Sequence, residues 1–153
     1  MLPRIFYALF HSGLRLHYGQ TGEDILIRPY LKDKAQYLDL GAYHPFRFSN
    51  TARLWAEGWN GVNVDANIDS INIFKKKRPK DISIHAALIT KKQRDEGLSE
   101  ISFYKSARDV KRHKSGISAH GSLLISEIEQ IEVKVPTKTV DEILDQCDLD
   151  NTQ

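Results

Sequence analysis

The sequence has little of several features that would define its class at once. It contains a single cysteine, Cys147, among 153 residues, so neither an intrachain disulfide nor a cysteine-based zinc site is expected. Its 22 basic and 20 acidic residues give a net charge of only +2, which provides no electrostatic reason to expect nucleic acid as a partner. The six histidines form no close pair at metal-ligand spacing, and we expect no structural metal. A reducing, cytoplasmic location is the default for such a composition.

Long apolar runs are also lacking. The apolar run at residues 5–10 is too short to span a membrane, and no small-residue cleavage site follows it. We therefore expect residues 1–17 to form an amphipathic lead-in helix that packs on the domain, with a peripheral membrane or partner contact as the alternative. No stable membrane anchor is expected. Residues 18–153 are numerous enough for one domain with one core.

Strand and helix patterns alternate through the first ninety residues. QYLDLG, GVNVDAN and DISIHAALI predict three short strands. The helix between the first two strands is expected to be capped by Ser49 or Asn50, and the next helix by Asn67. Crossovers of this length predict parallel strands with right-handed connections. The sequence thus indicates half of a doubly wound α/β sheet, with the strands in the order third, second, first.

Two other helical segments carry charge at their ends. TGED places Thr21 and Asp24 at capping-box spacing, and Pro29 should kink or end that helix. The basic residues 75–78 fall in the last turn of the second crossover helix. We expect them to be solvated charge that offsets the helix dipole, rather than a nucleic-acid patch.

The second half of the sequence is less regular. EISFYK and IEVKVPTKT alternate apolar and polar residues and predict two further strands. The basic stretch between them, which contains two histidines, is expected to form a loop or lid that is either solvated or able to bind an anionic substrate. TVDEILDQC has Thr139 and Glu142 at capping-box spacing and predicts a terminal helix.

The candidate chemistry lies at the ends of the first two strands. Asp39, Gly41 and Asp65 are expected at the carboxyl edge of the sheet, where ligands of α/β proteins bind. A carboxylate in the position of Asp65 can accept hydrogen bonds from both hydroxyls of a ribose. Gly41 allows a ligand to approach the backbone closely.

The turn after Gly41 is crowded with large residues. A dinucleotide loop needs further glycines so that the pyrophosphate can reach a helix N-terminus, but residues 43–46 are Tyr, His, Pro and Phe. A nucleoside without phosphates, such as S-adenosylmethionine, remains compatible, whereas a nicotinamide-dependent dehydrogenase is disfavoured. His44 is a candidate general base, with loop structure or packing as the alternative. Trp55 and Trp59, four residues apart, are expected to pack in the core.

Four ordered motifs give the sequence a specific resemblance. YGQTGEDILI, LDLGAYHPFRFSNT, GWNGVNVDAN and TVDEIL resemble the FkbM family of S-adenosylmethionine-dependent methyltransferases. The resemblance implies the N-terminal half of a doubly wound, Rossmann-like class I methyltransferase sheet with parallel central strands. Residues 18–153 would be a partial domain of this type, and Gly19 departs from the serine that is usual in the family.

The resemblance also implies a set of residues around S-adenosylmethionine. They are Asp39, Gly41 and Ala42 in the turn, Asp65, Ala66 and Asn67 at the adenosine, Ala87 and Leu88 beside the adenine, Gln20, Glu23 and Asp24 at the mouth of the site, and Ser49, Asn50 and Thr51 below the methionine moiety. Plain helix capping is an equal alternative for the last three. The acceptor would be a hydroxyl oxygen of a sugar, glycan or other small metabolite.

Family members continue after TVDEIL with a fourth core strand beside the first. Without that strand the first strand would be an exposed apolar edge, which favours pairing with another chain. We therefore expect either a fragment or a partner over that edge, such as the second copy in a homodimer. A non-catalytic binding or interaction module derived from a methyltransferase is the main alternative function.

Overall fold

The structure is a computed structural model that describes residues 18–31, 35–106 and 130–147. Its elements, in chain order, are α1 (Glu23–Ile27), a 3-10 helix (Arg28–Tyr30), β1 (Gln36–Leu40), α2 (Ala52–Ala56), β2 (Asn60–Asp65), α3 (Ile68–Lys77), β3 (Ile82–His85), β4 (Ala87–Leu88), α4 (Lys91–Asp95), β5 (Glu100–Ser106), β6 (Gln130–Lys138) and α5 (Val140–Cys147). The expected lead-in helix and most of the basic loop lie outside the described residues. Among the described residues we find no helix with the length and apolar character of a membrane-spanning segment.

The first three strands form a parallel sheet in the order β1-β2-β3. Leu38 lies opposite Val62, and Val62 lies opposite Ile82. Parallel neighbours require a crossover, and α2 and α3 provide the two crossovers. The predicted α/β class, the parallel pairing and the order of these strands are therefore confirmed.

The predicted third strand is divided in the structure. The N–H of Ala86 still donates to the carbonyl of Asp65. β2 ends at Asp65, because the polypeptide then turns into α3. Ala87 and Leu88 then pair with β6 instead of β2. β5 and β6 form the two further strands expected from the sequence, paired antiparallel, and the second sheet has the order β4-β6-β5.

One face of the parallel sheet is covered by α5. Ile143 of α5, fully buried, packs in a cluster with Val62, Val64, Ile84 and Ala86. The predicted capping box places α5 there: the N–H of Thr139 donates to Glu142 Oε2, and the N–H of Glu142 donates to Thr139 Oγ1. Satisfying these N–H groups favours the start of the helix.

Two predicted helix caps are wrong. Gly22, with φ 87°, occupies the N-cap position of α1 in place of Thr21. Asp24 instead accepts hydrogen bonds from the N–H groups of Tyr18 and Gly19, which precede α1. The N-cap residue of α2 is Thr51, and no side chain caps that helix, because the Thr51 hydroxyl is directed to β1.

The other expected helix ends are present. Asn67 caps α3 by accepting a hydrogen bond from the N–H of Asp69. Pro29 lies where α1 gives way to the 3-10 helix, in agreement with its predicted effect. Trp59 is buried with Tyr37 and Leu54, and Trp55 packs against this cluster, which confirms the packing role, although Trp59 lies beyond the end of α2.

Candidate functional site

The candidate site is the carboxyl edge of the parallel sheet, where a turn after β1 folds over the end of β2. The N–H groups of Gly41 and Ala42 both donate to the carbonyl of Val64, at 2.9 and 3.0 Å. Gly41 has φ 75°, and a Cβ at this position would meet no atom within 4 Å. Glycine is therefore required here by the backbone conformation and not by lack of space.

Asp65 connects this turn to the start of α3. Its Oδ2 accepts a hydrogen bond from the N–H of Tyr43 at 2.8 Å, and its Oδ1 accepts one from the N–H of Asn67 at 2.7 Å. Burial raises the pKa of Asp65 above its ordinary value, although both N–H groups oppose the change. Since a carboxylate oxygen has two lone pairs, each oxygen retains one further acceptor position.

Asp39 is the second carboxylate at this edge. Its Oδ2 accepts a hydrogen bond from Thr51 Oγ1 at 2.6 Å. Burial raises the pKa of Asp39, and the negative charges of Asp65 and Asp81 act in the same direction, while Thr51 and Arg78 act against it. Asp39 is the penultimate residue of β1 and Asp65 the last residue of β2, so both lie at the carboxyl ends of neighbouring parallel strands, as the sequence predicted. Within the described residues, no three His, Cys, Asp or Glu side chains are grouped as metal ligands.

The loop from Gly41 to Phe48 is held by its own groups. Tyr43 and Phe48 both have φ 54°, a conformation that is uncommon for large side chains. Their rings lie 6.2 Å apart at an interplanar angle of 17°. His44 Nδ1 accepts hydrogen bonds from the N–H groups of Phe46 and Arg47, at 3.0 and 3.1 Å.

The contacts of His44 support its role in loop structure. Because Nδ1 is an acceptor, the proton of the neutral ring lies on Nε2. Burial lowers the pKa of His44, and the nearby positive charges of Arg47 and Arg78 lower it further. The alternative role of His44 as a general base stays a prediction.

Arg78 is the residue that sequence reasoning assigned wrongly. The neighbouring Lys75, Lys76 and Lys77 are exposed, but the exposed fraction of Arg78 is 0%. α3 ends at Lys77, so Arg78 is no longer on the solvated helix surface; as the C-cap residue it turns inward. The signal available in the sequence was the Arg-Pro-Lys-Asp order, which places Asp81 three residues after Arg78 at the end of a helix.

The guanidinium of Arg78 contacts the loop below the turn. Nη1 donates to Thr51 Oγ1 at 3.0 Å, and Nη2 donates to Ser49 Oγ at 3.2 Å and to the carbonyl of Pro45. Nη1 also reaches Tyr37 Oη at 3.3 Å. Arg78 therefore connects the end of α3 to β1 and to the loop that follows it.

The positive charge of Arg78 is balanced by Asp81, which is also buried. Asp81 Oδ2 lies 3.9 Å from Arg78 Nη1 and accepts hydrogen bonds from Tyr37 Oη at 2.5 Å and Asn63 Nδ2 at 2.9 Å. Burial is the main cause that raises the pKa of Tyr37. The rings of Phe46, Trp55 and Phe74 lie 5.1–5.8 Å from Arg78 Cζ, a distance at which aromatic faces stabilise a cation.

The opening motif lies against the start of α2. The N–H of Ser49 donates to the carbonyl of Tyr18 at 3.0 Å. A Cβ added to Gly19 would lie 2.7 Å from Glu23 Oε2 and 2.8 Å from Asn50 Oδ1. Glu23 and Asn50 thus both lie beside Gly19, and a serine at position 19 would require their side chains to move. Gln20 is exposed, and Asp24 is buried as a backbone acceptor.

The predicted adenine residues are only partly grouped. Ala66 packs against a cluster of Ala87, Phe103 and Val135, and its carbonyl lies 2.9 Å from His85 Nε2. Leu88 is exposed and pairs with Lys138 of β6. Phe103 and Val135, on strands distant in sequence, belong to this cluster beside Ala66, and sequence reasoning selected neither of them.

The geometry of this edge combines two carboxylates, a tight turn and a loop supported from below by a buried arginine. Comparisons of the chain with models of protein families, with curated proteins and with solved structures find no match.

Proposed function

We propose that this edge of the sheet binds S-adenosylmethionine and that the chain carries the cofactor-binding half of a methyltransferase. The observation that carries the proposal is the geometry of Asp65. Two backbone N–H groups fix its carboxylate at the end of β2. One lone pair on each oxygen is then available for the two hydroxyls of a ribose.

The loop favours a nucleoside over a nucleotide. A phosphate is usually bound by several backbone N–H groups that have no other partner. In this loop the N–H groups of residues 41–44, 46 and 47 all donate within the protein, and residue 45 is a proline without an N–H. The loop therefore offers a pyrophosphate little to bind, which argues against a nicotinamide-dependent dehydrogenase.

The charges at the edge also fit the proposed cofactor. S-Adenosylmethionine supplies an activated methyl group on a positively charged sulfur, and it carries an ammonium group. Asp39 and Asp65 would place two carboxylates near these positive groups. The acceptor by this proposal is a hydroxyl oxygen of a sugar or other small metabolite, bound beside the turn.

Titration calorimetry with S-adenosylmethionine tests the assignment of Asp65. We predict that Asp65→Ala weakens binding about ten- to a hundredfold, because a hydrogen bond to a charged group contributes roughly 1.5–3 kcal/mol. Asp65→Asn keeps the shape of the side chain and isolates the effect of its charge. Asp95→Asn, an exposed position in α4, is the control and should bind like the wild type. Unchanged affinity in a folded Asp65→Ala variant would rule out the proposed role.

A binding or interaction module without catalysis is the second candidate. It is favoured by the position of β1, which is an edge strand of the described sheet. An assay of methyl transfer to sugar hydroxyls separates the two functions, since a module of this kind could bind the cofactor and still transfer no methyl group.

A further inference from the structure

We infer that Arg78 is a positioning residue that fixes the loop of residues 45–51 and, through Thr51, the carboxylate of Asp39. The inference rests on the proposed function for its consequence in cofactor binding. The loop arrangement itself can be measured without any cofactor.

The contacts of Arg78 converge on one loop. Three of its acceptors, the carbonyl of Pro45 and the hydroxyls of Ser49 and Thr51, lie within seven consecutive residues. They are 27–33 residues before Arg78 in the chain, so the contact is tertiary and not part of the local end of α3. A planar guanidinium can bind several acceptors in fixed directions, which a lysine ammonium cannot do in the same way.

The two hydrogen bonds that link Arg78 to Asp39 through Thr51 have defined directions. An arginine has no acceptor, so Thr51 Oγ1 must accept the bond from Arg78 Nη1. The single hydroxyl proton of Thr51 is then available for Asp39 Oδ2, 2.6 Å away. Arg78 thus orients the proton of Thr51, and Thr51 orients the carboxylate of Asp39.

Stability alone does not account for a cation at this position. A buried ion pair is often no more stabilising than apolar side chains of similar size, and Phe46, Trp55 and Phe74 already surround Arg78. An apolar residue could fill that space but could not hold three polar groups of the loop. The polar contacts are therefore the feature that an arginine provides and an apolar residue does not.

Two matched threonine variants test the inference. Thr51 and Thr137 are both buried, with exposed fractions of 7% and 4%, and Thr137 donates to the carbonyl of Leu98 at 2.8 Å. Thr51→Val and Thr137→Val each remove one buried hydroxyl and keep the side-chain volume. We expect both to lower the unfolding temperature. Only Thr51→Val should weaken S-adenosylmethionine binding, by about tenfold, whereas Thr137→Val should stay within about twofold of the wild type.

Arg78→Lys provides the conservative substitution. It keeps the charge that balances Asp81 but not the fork that reaches the loop, so its affinity should fall at least as far as that of Thr51→Val. If Arg78→Lys does not fold, the threonine pair still decides. Equal affinities for Thr51→Val and Thr137→Val would overturn the inference.

Tryptophan fluorescence separates this inference from the proposed function. The chain has two tryptophans; Trp59 is buried in the core, and the Trp55 ring lies 5.6 Å from Arg78 Cζ. Acrylamide quenching of the free protein therefore reports mainly on Trp55. We expect Thr51→Val to increase quenching and Thr137→Val to leave it unchanged. If the wild type does not bind S-adenosylmethionine, the proposed function fails, and this difference in quenching alone supports or overturns the positioning role.

Discussion

At the scale of single residues, Asp39 belongs to the proposed site and also makes the stability of the fold depend on pH. Burial raises its pKa, so the fold favours the protonated carboxyl more than the unfolded chain does. Its contribution to stability is therefore fully present below the ordinary pKa of an aspartate and is lost as the pH rises through the folded-state pKa. Above that folded-state pKa the charge of Asp39 opposes folding.

We predict that Asp39→Asn has a higher unfolding temperature than the wild type at pH 7. The amide oxygen of asparagine can still accept the hydrogen bond from Thr51, and no charge is buried. The difference should shrink as the pH falls and Asp39 becomes protonated. Thermal unfolding followed by circular dichroism between pH 7 and pH 4 measures it. A variant that is less stable than the wild type at pH 7 would contradict the prediction.

The sequence indicated single-residue roles where the responsible contacts are local. The caps formed by Asn67 and by Thr139 with Glu142 depend on groups two or three residues away, so spacing alone predicts them. The loop contacts of Arg78 could not be placed in this way, because its hydrogen-bond acceptors are 27–41 residues distant and only its ion-pair partner Asp81 is local. In the sequence Arg78 is the fourth member of a basic run, and only the tertiary fold separates it from the three lysines.

At the scale of elements, α5 covers the sheet chiefly through Ile143. This residue is fully buried against β2 and β3. We predict that Ile143→Ala lowers the free energy of unfolding by about 2–5 kcal/mol, because it removes buried methyl groups and leaves a cavity. Leu144→Ala is the control on the same helix, since Leu144 is only half-buried, and it should lower the free energy by less.

Urea denaturation measures both values. Equal losses for Ile143→Ala and Leu144→Ala would mean that α5 does not pack on the sheet as described. The helix in TVDEILDQC could be predicted because its apolar face is encoded in the local sequence. Which strands that face covers depends on the tertiary fold, so this contact could not be predicted.

The division between β3 and β4 shows the same limit for strands. DISIHAALI has a continuous strand pattern, and nothing in these nine residues marks the point at which pairing changes from β2 to β6. That point depends on where β2 ends, twenty residues earlier in the chain. The existence of the strands was therefore predictable, and their partners were predictable only within the parallel sheet.

At the scale of the whole molecule, the edge of β1 is the feature that bears on assembly. Leu40 at its end is 41% exposed, and β1 pairs only with β2 in the described part of the chain. An apolar edge with free backbone groups favours pairing with another strand. We predict that the protein self-associates as its concentration rises, and that Leu40→Lys weakens this association.

Sedimentation velocity at several concentrations tests this prediction. Val140→Lys is the matched control, because Val140 is a similarly exposed apolar residue at the start of the helix α5, which offers no strand edge, and it should leave association unchanged. A monomer at all concentrations, or an equal effect of both lysines, would contradict a role for the β1 edge.

The internal hydrogen bonds of the loop at residues 41–47 have a consequence for the thermodynamics of binding. An irregular segment commonly loses conformational entropy when a ligand orders it, and this loss reduces affinity. Here the backbone is already fixed by Val64, Asp65 and His44. Little of the interaction energy with a ligand would be spent on ordering the loop, so even a small nucleoside with few polar contacts could be held with useful affinity.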